Sequence, residues 1–310
     1  MDSAQRYNSR SMLSRRELLL GPAALLALRA AEAANGKMTL ALHQNTSSRA
    51  GFRGSLEGWA KAGIKQVEIT NNLLDAFLKG ETLATAKRVL GDLGLTPVSG
   101  ACGVNGLIEP NPSRAAALDS FKKRCEMWAE LGIPRIYSTT ATTIKPAPDD
   151  YKSAADHVRE VARVAAQYKL IAAFEFVRQS TFASTLPTIL SITRAANEPN
   201  LGPLFDFYHF WSGNNKLADM DLLRPGEIKH VHFQDVPDMP REMLDATTRF
   251  IPGDGVSPID AMLRKLAETG YDGALSVELF LPRFADGDPF EVAREIKSKC
   301  EGVMQRAKVL

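Results

Sequence analysis

Four short segments in the second half of the chain set acids and imidazoles inside apolar runs. Ala172-Ala173-Phe174-Glu175-Phe176 holds one carboxylate among apolar neighbours, and Leu275-Ser276-Val277-Glu278-Leu279-Phe280 repeats the arrangement. Leu204-Phe205-Asp206-Phe207-Tyr208-His209 places an acid and an imidazole three residues apart. His230-Val231-His232-Phe233-Gln234-Asp235 carries two histidines whose spacing sends both to the same side of a strand. A charge in apolar surroundings needs a partner, either a buried Arg or a bound cation. Delivered to one cavity, three carboxylates would raise one another's pKa unless a cation offset them. One Glu, one Asp, one His and a second Glu form an oxygen-rich set with a single nitrogen donor. That set suits a hard or borderline divalent ion, Mn²⁺ or Mg²⁺ first, with Co²⁺ or Zn²⁺ as alternatives.

These residues need strands to carry them. From residue 38 onward, short β-branched or apolar runs alternate with stretches of helical period, without a Pro/Gly/Ser-rich linker, which is the pattern of βα units. The spacing predicts strands over Thr39 to His43, Gln66 to Ile69, Thr96 to Gly100, Arg135 to Ser138, Ile171 to Phe176, Pro203 to Asp206, Ile228 to Phe233 and Ala274 to Leu279. Between them run amphipathic helices such as Arg114 to Leu131 and Tyr151 to Tyr168. Gly63, Gly94, Gly132 and Gly270 each close a helical stretch before a strand. Eight such units predict a single-domain α/β protein, a (β/α)8 TIM barrel over residues 34–310, a fold of about 250 residues. A doubly wound open sheet is the competitor. Its glycine-rich nucleotide loop is missing after the first strand, which runs into His43-Gln44-Asn45-Thr46-Ser47-Ser48. In the barrel, reactive groups gather at the carboxyl ends of the strands, where these four segments place theirs.

The chain has 310 residues, 45% hydrophobic and 24% charged, which excludes a disordered or fibrous protein. Its formal charge of +2 resides in residues 1–33, where five Arg face Asp2, Glu17 and Glu32. The body is therefore neutral and offers no excess of Lys and Arg to nucleic acid. Cys102, Cys125 and Cys300 are odd in number and widely spaced, and read as packing residues. Ser14-Arg15-Arg16-Glu17 precedes an uncharged run from Leu18 to Leu28 and then Ala31-Glu32-Ala33, the order of a twin-arginine export signal cleaved after Ala33. The run of 11 residues is too short for a membrane span, which needs about 20. A periplasmic address follows, with the export machinery as a transient partner and no stable membrane anchor; a homo-oligomer is left open.

From about residue 38 to 300 the chain resembles the xylose-isomerase-like barrel superfamily, the sugar phosphate isomerases and epimerases with their endonuclease and dehydratase relatives. The pieces that carry the resemblance are Val67-Glu68-Ile69, Ala129-Glu130-Leu131-Gly132-Ile133, Phe174-Glu175-Phe176, Asp206-Phe207-Tyr208-His209, His230-Val231-His232, Gly253-Asp254-Gly255 and Val277-Glu278, in that order. The resemblance implies that Glu175, Asp206, His232 and Glu278 ligate the metal, that Glu175 and Glu278 face each other across the substrate, and that His209 lies beside it. It implies a small carbohydrate or polyol substrate and proton abstraction next to a carbonyl through an enediolate, with isomerase or epimerase first. A lyase acting on a keto-inositol or a 3-keto-glycoside, and a sugar-binding barrel without chemistry, are the alternatives. The five histidines, His43, His157, His209, His230 and His232, are too few for the trinuclear endonuclease site.

Other residues keep two readings each. His43 and Glu68 end the first two strands and either contact substrate or hold neighbouring polar groups. His230 reads as a hydrogen-bond partner behind His232. Typical epimerases of the superfamily add a Glu after the first metal Glu and an Arg after the His-x-His strand. Here those stretches read Phe176-Val177-Arg178-Gln179-Ser180-Thr181 and Gln234 to Arg241, so Arg178 and Arg241 are either holders of an acidic substrate group or surface charges. Trp59, Phe210 and Trp211 are either a wall for a sugar face or core aromatics.

Overall fold

In the computed structural model, which describes residues 37–310, eight parallel strands pair in sequence order and the last closes on the first. The strands are β1 (Thr39–His43), β2 (Gln66–Ile69), β3 (Thr96–Ala101), β4 (Arg135–Thr139), β5 (Ile171–Glu175), β6 (Leu201–Asp206), β7 (His230–His232) and β8 (Ala274–Val277). The helices between and after them are α1 (Gly51–Lys61), α2 (Asn71–Phe77), α3 (Leu83–Asp92), α4 (Arg114–Glu130), α5 (Pro148–Gln167), α6 (Leu186–Ala196), α7 (Phe207–Ser212), α8 (Ile259–Glu268), α9 (Pro282–Ala285) and α10 (Pro289–Ala307). The chain is thus a single (β/α)8 barrel over the described residues; the segment read as an export signal, 1–33, lies outside them. No helix of the described residues is long and apolar enough to cross a membrane.

Local chemistry explains the boundaries. β5 and β8 stop at Glu175 and Val277, earlier than their apolar runs, because the chain must turn outward where the acidic side chains reach the mouth. β7 keeps only His230–His232, whereas β6 begins at Leu201 rather than Pro203. α5 starts at Pro148, ahead of its apolar stripe, since a proline fits the first turn and the Asp150 carboxylate accepts the Ala147 amide at 2.7 Å. Gly63, Gly94, Gly132 and Gly270 all take positive φ between helix and strand, a conformation that costs glycine little. The main core lies between barrel and helices, with Trp59, Phe121, Trp128, Phe205 and Phe284 fully buried in it. Inside the barrel a small apolar layer of Ala41, Val98 and Ala274 leaves the upper layers to polar side chains.

Candidate active site

The carboxyl ends of β5, β6, β7 and β8 bring Glu175, Asp206, His232 and Glu278 together, with one ligand atom from each within 4.8 Å of the others. All four are buried. The register sets this directly: Asp206 pairs with His232 across β6 and β7, and His232 with Ser276 across β7 and β8, two residues before Glu278. His232 is the hub. Its Nδ1 stands 3.0 Å from Glu175 Oε1 and 3.6 Å from both Asp206 Oδ2 and Glu278 Oε2, while its Nε2 meets Glu68 Oε1 at 3.1 Å. An imidazole with Nε2–H held by a carboxylate has its Nδ1 lone pair turned to the cluster, the usual orientation of a metal-binding histidine.

Glu68 therefore lies beneath the site, not on its wall: it is fully buried and also takes His230 Nε2 at 2.7 Å. His43 is likewise set behind, 3.0 Å from the Tyr137 hydroxyl and 3.4 Å from Glu278 Oε1. Neither lines the cavity that the sequence suggested for them. Arg178 does not face it either, because nearby carbonyls use its donors: Leu244 O at 2.7 Å and Arg241 O at 2.9 Å. Arg241 donates to Gly213 O at 2.9 Å, so both arginines tie loops rather than hold substrate. Trp59 and Phe210 belong to the core, and Trp211 packs in a small cluster with Tyr208 and Val236.

The cavity above the cluster has a volume of about 290 Å³ and is walled by Glu175, Glu278, His209, Tyr137, Asn45 and Arg249, among others. Arg249 escaped the sequence reading, since it comes from the long loop after β7 rather than from Gln234 to Arg241. Only 4% exposed, its guanidinium donates to Glu278 and stands 3.4 Å from Asp206 Oδ2 and 3.1 Å from His209 Nε2. It also packs over the rings of Tyr208 and Phe280. An antiparallel bridge between Asp235 and Phe250 brings it there, and the buried Asp235 carboxylate accepts the amides of Gly253, Gly255 and Ser257 at 2.9–3.0 Å. A cation in an apolar stretch, Arg249-Phe250-Ile251, just before Gly253-Asp254-Gly255, was the signal available in the sequence. Gln234 completes the frame by donating to Asp206 Oδ2 at 2.9 Å.

The charges of the site call for a cation. Burial pushes the Glu175 carboxyl up to about 8, with Asp206 and Glu278 adding to it and His232 opposing. Against burial, Arg249 holds both Asp206 and Glu278 below their ordinary range. Against burial too, Glu68, Glu278 and Glu175 raise the His232 imidazole well above its usual value. Burial instead lowers His209 to about 4, helped by Arg249 and opposed by Asp206, so that imidazole is neutral at physiological pH. Protons on Glu175 and His232 occupy the place where a divalent ion fits the donor set of three carboxylates and one Nδ1.

A closed parallel barrel with a divalent-metal donor set at its strand ends defines the class. The family profile described as xylose isomerase-like TIM barrel matches residues 56–299, and the chain belongs to that family. It is 28% identical over 237 residues to an inosose isomerase of Halalkalibacterium halodurans, covering 74% of this chain and 83% of that one. It is 23% identical to a 3-dehydroshikimate dehydratase of Pseudomonas putida over 80% of this chain, which is 38% of that protein. The crystal structure of the IolI protein with a binding zinc atom shares the fold at a TM-score of 0.81 and 24% identity, covering 87% of this chain and 99% of that one.

Proposed function

We propose that this chain is a divalent-metal-dependent isomerase or epimerase of a small keto-sugar or keto-polyol, acting by removal of the proton next to the carbonyl. The observation that carries this reading is the convergence of Glu175, Asp206, His232 and Glu278 at one cavity with His209 and Arg249. A volume of about 290 Å³ is at the small end for ligand pockets and suits one ring. A divalent ion held by the four residues would polarise a substrate carbonyl and so acidify the adjacent carbon. Glu175 and Glu278 both face the cavity; one takes the carbon proton, and the other returns one to the opposite face for an epimer or to the neighbouring carbon for an isomer. His209, neutral near pH 7, can give and accept the oxygen protons. Manganese is the first ion to test, followed by zinc, magnesium and cobalt. Export through residues 1–33 belongs to the same reading, and a periplasmic protein that still began at Met1 would refute it.

The similarity to a 3-dehydroshikimate dehydratase favours a second reading, a lyase in which the same carbanion expels hydroxide. Incubation of the metal-loaded protein with an inosose and with keto-sugars in D₂O separates them. The isomerase or epimerase reading predicts one solvent deuterium at the carbon next to the carbonyl with mass otherwise conserved, slowed by roughly 10²–10⁴-fold in Glu278→Gln. A product lighter by one water supports the lyase. Binding with no deuterium uptake by any of these ligands leaves a sugar-binding protein.

A further inference from the structure

A second cavity, of about 580 Å³, opens beside the first, and Val177, His209, Arg249 and Phe280 line both. The outer cavity is wider than the inner one and chemically different. The residues found only in its wall, Thr142, Gln179 and Ala246 among them, are all uncharged, whereas the inner wall carries Glu175 and Glu278. Arg249 forms the boundary, and its donors are unequally used: the two terminal nitrogens face Glu278, Asp206 and His209, but Nε is buried without a hydrogen-bond partner. A buried donor left unmatched costs about 1–3 kcal/mol, and a ligand oxygen at the boundary would relieve that cost.

Resting on the keto-sugar reading above, we infer that the substrate is a keto-sugar glycoside: the keto-ring fills the inner cavity, a neutral second ring fills the outer one, and the oxygen joining them accepts from Arg249 Nε. A single ring uses only the smaller chamber. A sugar phosphate fits the outer chamber poorly, since its one cation, Arg249, already stands between Asp206 and Glu278. The mixture of hydroxyl and amide side chains with Val177, Ala246 and Phe280 suits the edge and face of a neutral ring.

The test compares free 3-keto-glucose, its phenyl β-glycoside and 3-keto-cellobiose on the metal-loaded full-length protein, by solvent deuterium uptake and by calorimetric binding. At least one glycoside should show kcat/KM about tenfold or more above the free ring, the gain expected from burying a further ring. The better of the two identifies whether the second ring is aromatic or sugar. Ala246→Trp and Thr142→Trp, which fill the outer cavity from different segments, should each reduce the ratio of glycoside to free ring by roughly tenfold. Exchange of the free ring at an efficiency equal to or above both glycosides would overturn the inference while leaving the keto-sugar reading standing. Exchange and binding of none of the three would overturn both.

Discussion

Glu68 never reaches the cavity, yet it holds Nε2 of both His230 and His232 with separate oxygens. Burial opposes its charge, but His230 and His232 keep it well below the usual carboxylate range, so it stays ionised and fixes the His232 tautomer. Glu68→Gln keeps the shape and removes that charge, and should weaken metal binding by about 10–100-fold, read by competition with a chelating dye; unchanged affinity would show that Glu68 only packs. Glu175 sets the pH dependence of the metal-free protein. Its folded pKa of about 8 lies above the unfolded value, so its protonation contributes stability that is fully present below the ordinary Glu range and lost as pH rises through about 8. Metal must displace this proton, and affinity should therefore rise toward about tenfold per pH unit between pH 6 and 8 before it levels off. A flat titration across that window would exclude Glu175 as a protonated ligand.

The loop after β7 is the element on which the site's positive charge depends. Asp235→Ala would leave the amides of Gly253, Gly255 and Ser257 without their acceptor and should destabilise the fold by about 3 kcal/mol in denaturant unfolding. A loss below about 0.5 kcal/mol would mean that Arg249 is positioned by its stacking on Tyr208 and Phe280 alone. The strands were legible in the sequence because parallel strands buried on both faces stand out as short apolar runs, and the acids in them were conspicuous for the same reason. Glu175, Asp206, His232 and Glu278 each sit at or just beyond such a run, so the barrel's geometry brings them together. Arg249 was not legible, since its place depends on a bridge between Asp235 and Phe250 that no local periodicity encodes. Glu68 and His43 ended strands as expected, but strand ends alone do not tell a side chain on the cavity wall from one a layer below.

At the scale of the whole molecule, closure of eight strands makes one mouth, and almost every ionisable group buried inside the barrel is turned toward it or toward its supports. A neutral body carrying a buried cluster of Glu68, Glu175, Asp206 and Glu278 against Arg249 and His232 concentrates its unbalanced charge at one point, and a divalent ion resolves it. The measurement that bears most directly on this is the metal content of the protein and of the Glu175→Gln and His232→Ala variants, each purified and re-equilibrated with limiting Mn²⁺ and, separately, Zn²⁺. The four-ligand site predicts about one ion per wild-type chain and loss of it in both variants, with the fold retained by circular dichroism. A wild-type chain that binds neither ion, or variants that bind as well as wild type, would contradict it.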